Sequence, residues 1–181
     1  MFIKSTINNL AAAIFYAALV TLLGRHFQPE FLFFWLGVIG GVFVLYFDPL
    51  FTAYFGSAIT SSTQEIKQLI EQKKFPAAVG KIFVEHKTQE QPILHSAFLQ
   101  CILMLLSFYV ITSSGSLLGS GLIMGMVIHL LQEEIAIWRK DPQRLTRILF
   151  WNIHREVSFQ EQKIYLAVVF AVFFTESILL I

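Results

Sequence analysis

The chain has 181 residues, of which 56% are hydrophobic and only 14% charged, with nineteen phenylalanines and a mean hydropathy of +0.67. That composition lies far from an ordinary soluble domain of this length and points to an integral membrane protein. The net charge of +1 gives no support to a nucleic-acid binder, and the single cysteine, Cys101, excludes an internal disulfide and a cysteine metal cluster.

Five stretches are long enough, or nearly so, to cross a hydrocarbon core roughly 30 Å thick. They run from about Asn9 to Leu23, Phe31 to Phe47, Pro92 to Ile111, Leu117 to Trp138 and Tyr165 to Ile181. The expected architecture is all-α: a polytopic membrane helical bundle of about five transmembrane helices, forming one integral membrane domain over residues 1–181. The first span reads as retained, because Leu23-Gly24-Arg25-His26 has no small-x-small cleavage pattern and a second apolar span follows almost at once. The short turn from Gly24 to Glu30 makes the first two spans a helical hairpin.

Loop 48–91 carries helical signals of its own. Ser62 with Glu65 fits a capping box, and Ile66, Leu69 and Ile70 then share one stripe. Pro76 starts a second short helix with Val79, Ile82 and Phe83 on one face. Both short amphipathic helices are expected along the membrane surface or over the mouth of the bundle. In loop 139–164, Asp141-Pro142 reads as an N-cap and first helical residue, ahead of an apolar set, Leu145, Ile148, Leu149 and Trp151, that should dock.

The cationic side chains fix the expected orientation. With five crossings, Lys4, Lys67, Lys73, Lys74, Lys81, Lys87, Arg139, Lys140, Arg144, Arg147, Arg155 and Lys163 fall on one side and Arg25 alone on the other. The amino terminus and both long loops are therefore expected in the cytoplasm, and the carboxyl terminus outside the cell (inner) membrane.

The polar residues within this apolar frame define the candidate site. His129 and Glu133 are four residues apart in the fourth span and so project from one helical face, where ionisable groups are costly. At 1.5 Å per residue, His129 lies about 13 Å below Trp138. Asp48 ends the second span, His95 begins the third, and His86 precedes it, all on the same expected side. Imidazoles and carboxylates are ligands for divalent zinc, manganese or iron. Glu134 turns about 100° from Glu133 and is expected in solvent or beside a basic residue. His154 reads as surface chemistry, and Glu176, toward the opposite side, as a hydrogen-bonded packing residue. Gly119, Gly121 and Gly125 are expected to admit a close neighbouring helix.

Tyr46-Phe-Asp48-Pro, Glu85-His86-Lys87, Ile93-Leu-His95-Ser96, Gly125-Met-Val-Ile-His129-Leu-Leu-Gln-Glu133 and Leu149-Phe-Trp151-Asn152 follow one another in the chain. In order and position they resemble the motifs of the bacterial membrane-bound metal-dependent hydrolases, the LexA-regulated YdjM-like family, over residues 30 to 155. That family's pattern has a Pro-Asp-x-Asp, a His-Arg-x-x-Thr-His-Ser and a Gly-x-x-x-His-x-x-x-Asp; here glutamate replaces the last aspartate and one aspartate stands for two. The resemblance implies a divalent metal held by His129, His95, Glu133, Asp48 and His86, with Glu133 and Asp48 as the catalytic carboxylates. The implied reaction is metal-assisted hydrolysis of a lipid or phosphorylated amphiphile at the cytoplasmic interface. The contrasting expectation is a non-catalytic membrane scaffold or assembly subunit, whose polar cluster ties helices together. Phe33, Phe34, Trp35, Phe170, Phe173 and Phe174 would then offer apolar faces to membrane lipids, a second copy or a membrane protein partner.

Overall fold

The computed structural model describes residues 2–55, 60–86, 89, 92–153 and 155–181, with residues 2–5 as backbone only. Lys87 and His154 lie outside the described residues. Every regular element among them is helical: α1 Phe2–Leu23, α2 Leu32–Val44, α3 Asp48–Phe55, α4 Ser61–Glu71, α5 Phe75–Glu85, α6 Ala97–Tyr109, α7 Leu117–Trp138, α8 Pro142–Phe150 and α9 Phe159–Leu179. Five segments are long and apolar enough to cross a membrane: Thr6–Leu23, Pro29–Phe55, Ala97–Ser114, Leu117–Trp138 and Phe159–Leu179. The five-span helical bundle expected from the sequence is the architecture found.

The second span is longer than its apolar run, because α2 continues through a tight turn at Leu45–Phe47 into α3. Pro49 has no N–H to give the Leu45 carbonyl, so that oxygen accepts from Asp48 N instead and the helix narrows there. The third span is shorter than expected. Residues from Pro92 to Ser96 are not helical, and α6 begins at Ala97, capped by Ser96 Oγ accepting from Leu99 N at 3.3 Å. The fifth starts earlier, at Phe159, where Ser158 and Glu161 form a reciprocal capping box.

The centre of the bundle is the α2–α7 pair. A Cβ on Gly41 would lie 2.0 Å from the Leu122 carbonyl oxygen, and one on Gly125 would lie 2.1 Å from that of Val38. Gly37 and Gly121 meet the Leu118 and Phe34 carbonyls at 2.3 and 2.1 Å in the same sense. Each helix thus presents a Gly-x-x-x-Gly ridge to the other, and the backbones touch without side chains between them. Gly121 and Gly125 play the expected role; Gly119 does not, since it faces Ser116 and Val110.

Around this pair, Ala13, Ala17 and Val20 of α1 pack with Phe34, Val38, Val42 and Tyr46. Val169 of α9 packs with Ile123, Val127 and Leu131 of α7. Phe34 is therefore core, not an outward face, whereas Phe33, Phe170 and Phe174 are exposed on the outside, as apolar side chains facing lipid would be. Trp35 is half-buried and gives its Nε1–H to Thr21 Oγ1 at 3.0 Å.

The short helices gather at one end of the bundle. The N-cap of α4 is Thr60, paired with Thr63, two residues earlier than the Ser62–Glu65 box suggested; Glu65 instead meets Lys81 at 2.6 Å. In α5, Ala78 and Ile82 are buried, Val79 is exposed, and Phe83 stacks toward Tyr46 and Phe47. As expected, α8 begins at Asp141-Pro142 and buries Leu145, Ile148 and Leu149. Asp141 Oδ1 accepts from Arg144 N at 2.9 Å. Asp141→Ala should cost about 1 kcal/mol of stability, read as a lowered denaturation midpoint in detergent.

Candidate metal centre

Asp48 organises the segment that carries His95. Its side chain is fully buried; Oδ1 accepts from Ile93 N at 2.9 Å and Thr52 Oγ1 at 3.3 Å, and Oδ2 accepts from Leu94 N at 3.0 Å. The two captured amides hold residues 92–96 out of helix, which is why the third span starts late. Oδ2 also lies 2.6 Å from His95 Nδ1, so the imidazole offers Nε2 to the interior. A carboxylate behind a histidine, fixing its orientation and leaving the far nitrogen to bind, is the usual support of a metal-binding imidazole.

Three more donors meet that nitrogen. His86 comes from the end of α5, and His129 and Glu133 from consecutive turns of α7. Glu133 Oε1 is 3.4 Å from His86 Nε2 and 3.3 Å from His129 Nε2, while its Oε2 is 3.3 Å from His95 Nε2. One ligand atom from each of the four residues falls within 4.8 Å of all the others. The Tyr46 ring packs against His129 and His86 at centroid distances of 4.8 and 4.9 Å, closing the inner wall.

The fit to a cation rests on what these groups lack. Both ring nitrogens of His129, Nε2 of His95 and Nδ1 of His86 are buried without a well-formed hydrogen bond. Buried polar atoms without partners are uncommon, and three converging imidazoles with one carboxylate make a zinc-type donor set. This cluster can hold a metal ion.

His95 sits outside the spans. Burial opposes its protonation, but the hydrogen bond to Asp48 and the nearby Glu133 carboxylate outweigh that, and its pKa is pushed up from 6.5 to about 10. The proton's contribution to folding is full below 6.5 and is lost as pH rises to about 10. The thermal midpoint of metal-free protein should therefore fall between those values, a trend that a circular-dichroism melt in detergent would read.

The structure thus brings His86, His95, His129 and Glu133 together and sets Asp48 apart. Asp48, expected as a ligand and catalytic carboxylate, has both oxygens committed to backbone amides, Thr52 and His95, and acts as a positioning residue behind the cluster. Glu134, expected in solvent, is buried and accepts from Gln100 Nε2 at 2.5 Å. Gln100 in turn donates to the His95 carbonyl at 3.2 Å and accepts from Tyr165 OH at 2.6 Å. That chain braces α6, α7 and α9 behind the site, and its only sequence signal was a glutamine inside an apolar span. Glu176 lies away from the cluster, hydrogen-bonded to Ser107, in the packing role expected of it. Gln89, not singled out from sequence, gives its Nε2–H to Thr52 Oγ1 beside Asp48.

A cavity of about 680 Å³ opens over the cluster, with His86, His95 and Glu133 at its inner end and Arg139, Lys140 and Arg144 at its rim. His129 is fully buried behind them. The cavity therefore borders three of the four residues, with Glu133 the most exposed of them, and is entered past cations. A comparison with known protein families, characterised proteins and solved structures finds no match to this chain.

Proposed function

We propose that this protein is a membrane-bound metal-dependent hydrolase acting at the cytoplasmic face of the membrane on a phosphoryl or acyl ester of an amphiphile. The observation that carries this reading is the placement of three of the four clustered donors, His86, His95 and Glu133, at the inner end of an open cavity with a cationic rim, with His129 directly behind them. A purely structural ion would be served by a closed cage, whereas a catalytic one needs access. The twelve-to-one distribution of lysine and arginine supports a cytoplasmic position for this end. The order of motifs, which resembles that of the YdjM-like hydrolases, supports the reaction class.

His86, His95 and His129 would hold the ion, with Asp48 keeping His95 aimed. A divalent ion there would acidify a bound water and polarise the ester oxygen. Glu133 touches all three histidines and also faces the cavity, so it can take the fourth ligand position or accept the proton of the attacking water. The water oxygen forms a bond to phosphorus or the acyl carbon, the ester oxygen leaves, and the proton held by Glu133 passes to that leaving oxygen.

Purified protein supplied with zinc or manganese should hydrolyse a long-chain phosphomonoester or carboxylic ester. Glu133→Gln should lower turnover at least about 100-fold. Fully metal-loaded wild type that turns over neither substrate would reject the hydrolase and favour a scaffold built around a structural ion.

A further inference from the structure

The end of α7 separates two cavities that share Ile135 and Arg139. One is the polar cavity over the candidate metal centre. The other, about 360 Å³, lies between α7 and α9, walled by Ile135, Trp138, Leu166 and Phe170, with Arg139 and Lys163 also lining it. Phe170 is exposed, so this groove opens on the lateral surface where a membrane's hydrocarbon would be. Lys163 stands 4.5 Å over the Phe159 ring, near the start of α9, and Arg139 follows the last turn of α7. A groove with apolar walls and cations at the helix ends matches a molecule with an anionic head and a hydrocarbon tail.

Trp138 supplies an independent sign. Its indole Nε1 is buried without a hydrogen-bond partner although the residue lines the groove. A buried indole N–H ordinarily finds an acceptor, and a turn of the half-buried Trp138 ring into the groove would bring it to an ester carbonyl at the membrane interface. Among the described residues, Asp141 is the only acidic side chain besides Glu133 lining the polar cavity, and it caps α8. The wall shared by the two cavities, Ile135 and Arg139, carries a positive charge.

We propose that this end of the bundle binds one anionic phospholipid, its phosphate at Arg139 and Lys163, its ester carbonyl at Trp138 Nε1 and an acyl chain along Ile135, Leu166 and Phe170. The exposed part of the head then extends past Arg139 into the cavity that ends at His86, His95 and Glu133. The site deepens the hydrolase reading, on which it depends only for calling the lipid a substrate.

Native mass spectrometry of detergent-purified full-length protein, titrated with phosphatidylglycerol or phosphatidylcholine, tests the site. Phosphatidylglycerol should bind about tenfold more tightly, the double variant Arg139→Gln/Lys163→Gln should lose that preference, and Phe170→Ala should weaken both lipids. Metal content, measured on the same samples, should not change in these variants. Equal affinity for the two lipids, or a preference that survives the double variant, would overturn the proposal. So would displacement of phosphatidylglycerol by inorganic phosphate at millimolar concentration, which would make the ligand a soluble phosphate. Selective lipid binding by a protein that takes up no metal would leave this site standing and reject the hydrolase; metal without selectivity would do the reverse.

Discussion

Replacing Gly41 by leucine is expected to keep the bundle from assembling. Even the first carbon of the new side chain would sit 2.0 Å from the Leu122 carbonyl oxygen and 2.8 Å from Met126 N, both of them backbone atoms. A flexible side chain can move out of the way, but two helix backbones in contact cannot do so without separating along their length. Overpacking of an ordinary core costs about 1–3 kcal/mol, and this contact should exceed that range. Separation of α2 from α7 would also carry Tyr46 and Asp48 away from His129 and Glu133, so the candidate centre would be lost with the packing. Gly40 provides the control: a Cβ there meets nothing within 4 Å, and Gly40→Leu should purify as a monodisperse protein. Size-exclusion profiles and thermal midpoints in detergent distinguish the two. A well-behaved Gly41→Leu protein with an unchanged midpoint would contradict the α2–α7 geometry.

The second large effect is expected at Asp48. Its carboxylate accepts from two backbone amides, a threonine hydroxyl and His95 Nδ1, and no water reaches it. Asparagine keeps the shape but offers one carbonyl oxygen and turns an amide N–H₂ toward donors. At least one buried N–H is then left without a partner, at about 1–3 kcal/mol, and His95 loses the charge that orients it. Metal affinity should fall about 10- to 100-fold, because the ligand set remains and only its support is gone. Competition against a chelator of known strength measures this. If Asp48 were itself a ligand, the same variant would instead lose the ion outright and His95→Ala would have no larger effect.

The sequence was most informative where one physical rule acted alone. Span number and helical class followed from hydrophobic length, and Asp141-Pro142 announced α8 because cap chemistry is local. The His129–Glu133 pair was visible because a helix fixes the relation between positions four apart. It failed where tertiary contacts decided. Asp48 looked like a ligand because only the fold shows that the amides of Ile93 and Leu94 claim its oxygens. The same capture removed the first turn expected for the third span. Glu134 looked like a solvated neighbour of Glu133 because its partner, Gln100, lies on another helix. Gly37 and Gly41 carry the same four-residue spacing as Gly121 and Gly125, and that match was a legible signal of the helix pair, although it passes unnoticed until the two ridges are seen to face each other.

Elemental analysis of purified protein, wild type beside His129→Ala and His86→Ala, bears most directly on the claim that this cluster is a metal centre. Wild type should hold about one divalent ion per chain, and either variant should hold less than about a tenth of that while keeping the helical content of the parent. Neither ring nitrogen of His129 makes a well-formed hydrogen bond to another helix, so its loss removes a metal donor without breaking a tie between helices. Wild-type protein that takes up no ion when dialysed against zinc or manganese, or variants that retain it, would show that the three histidines and Glu133 only pack the helices together.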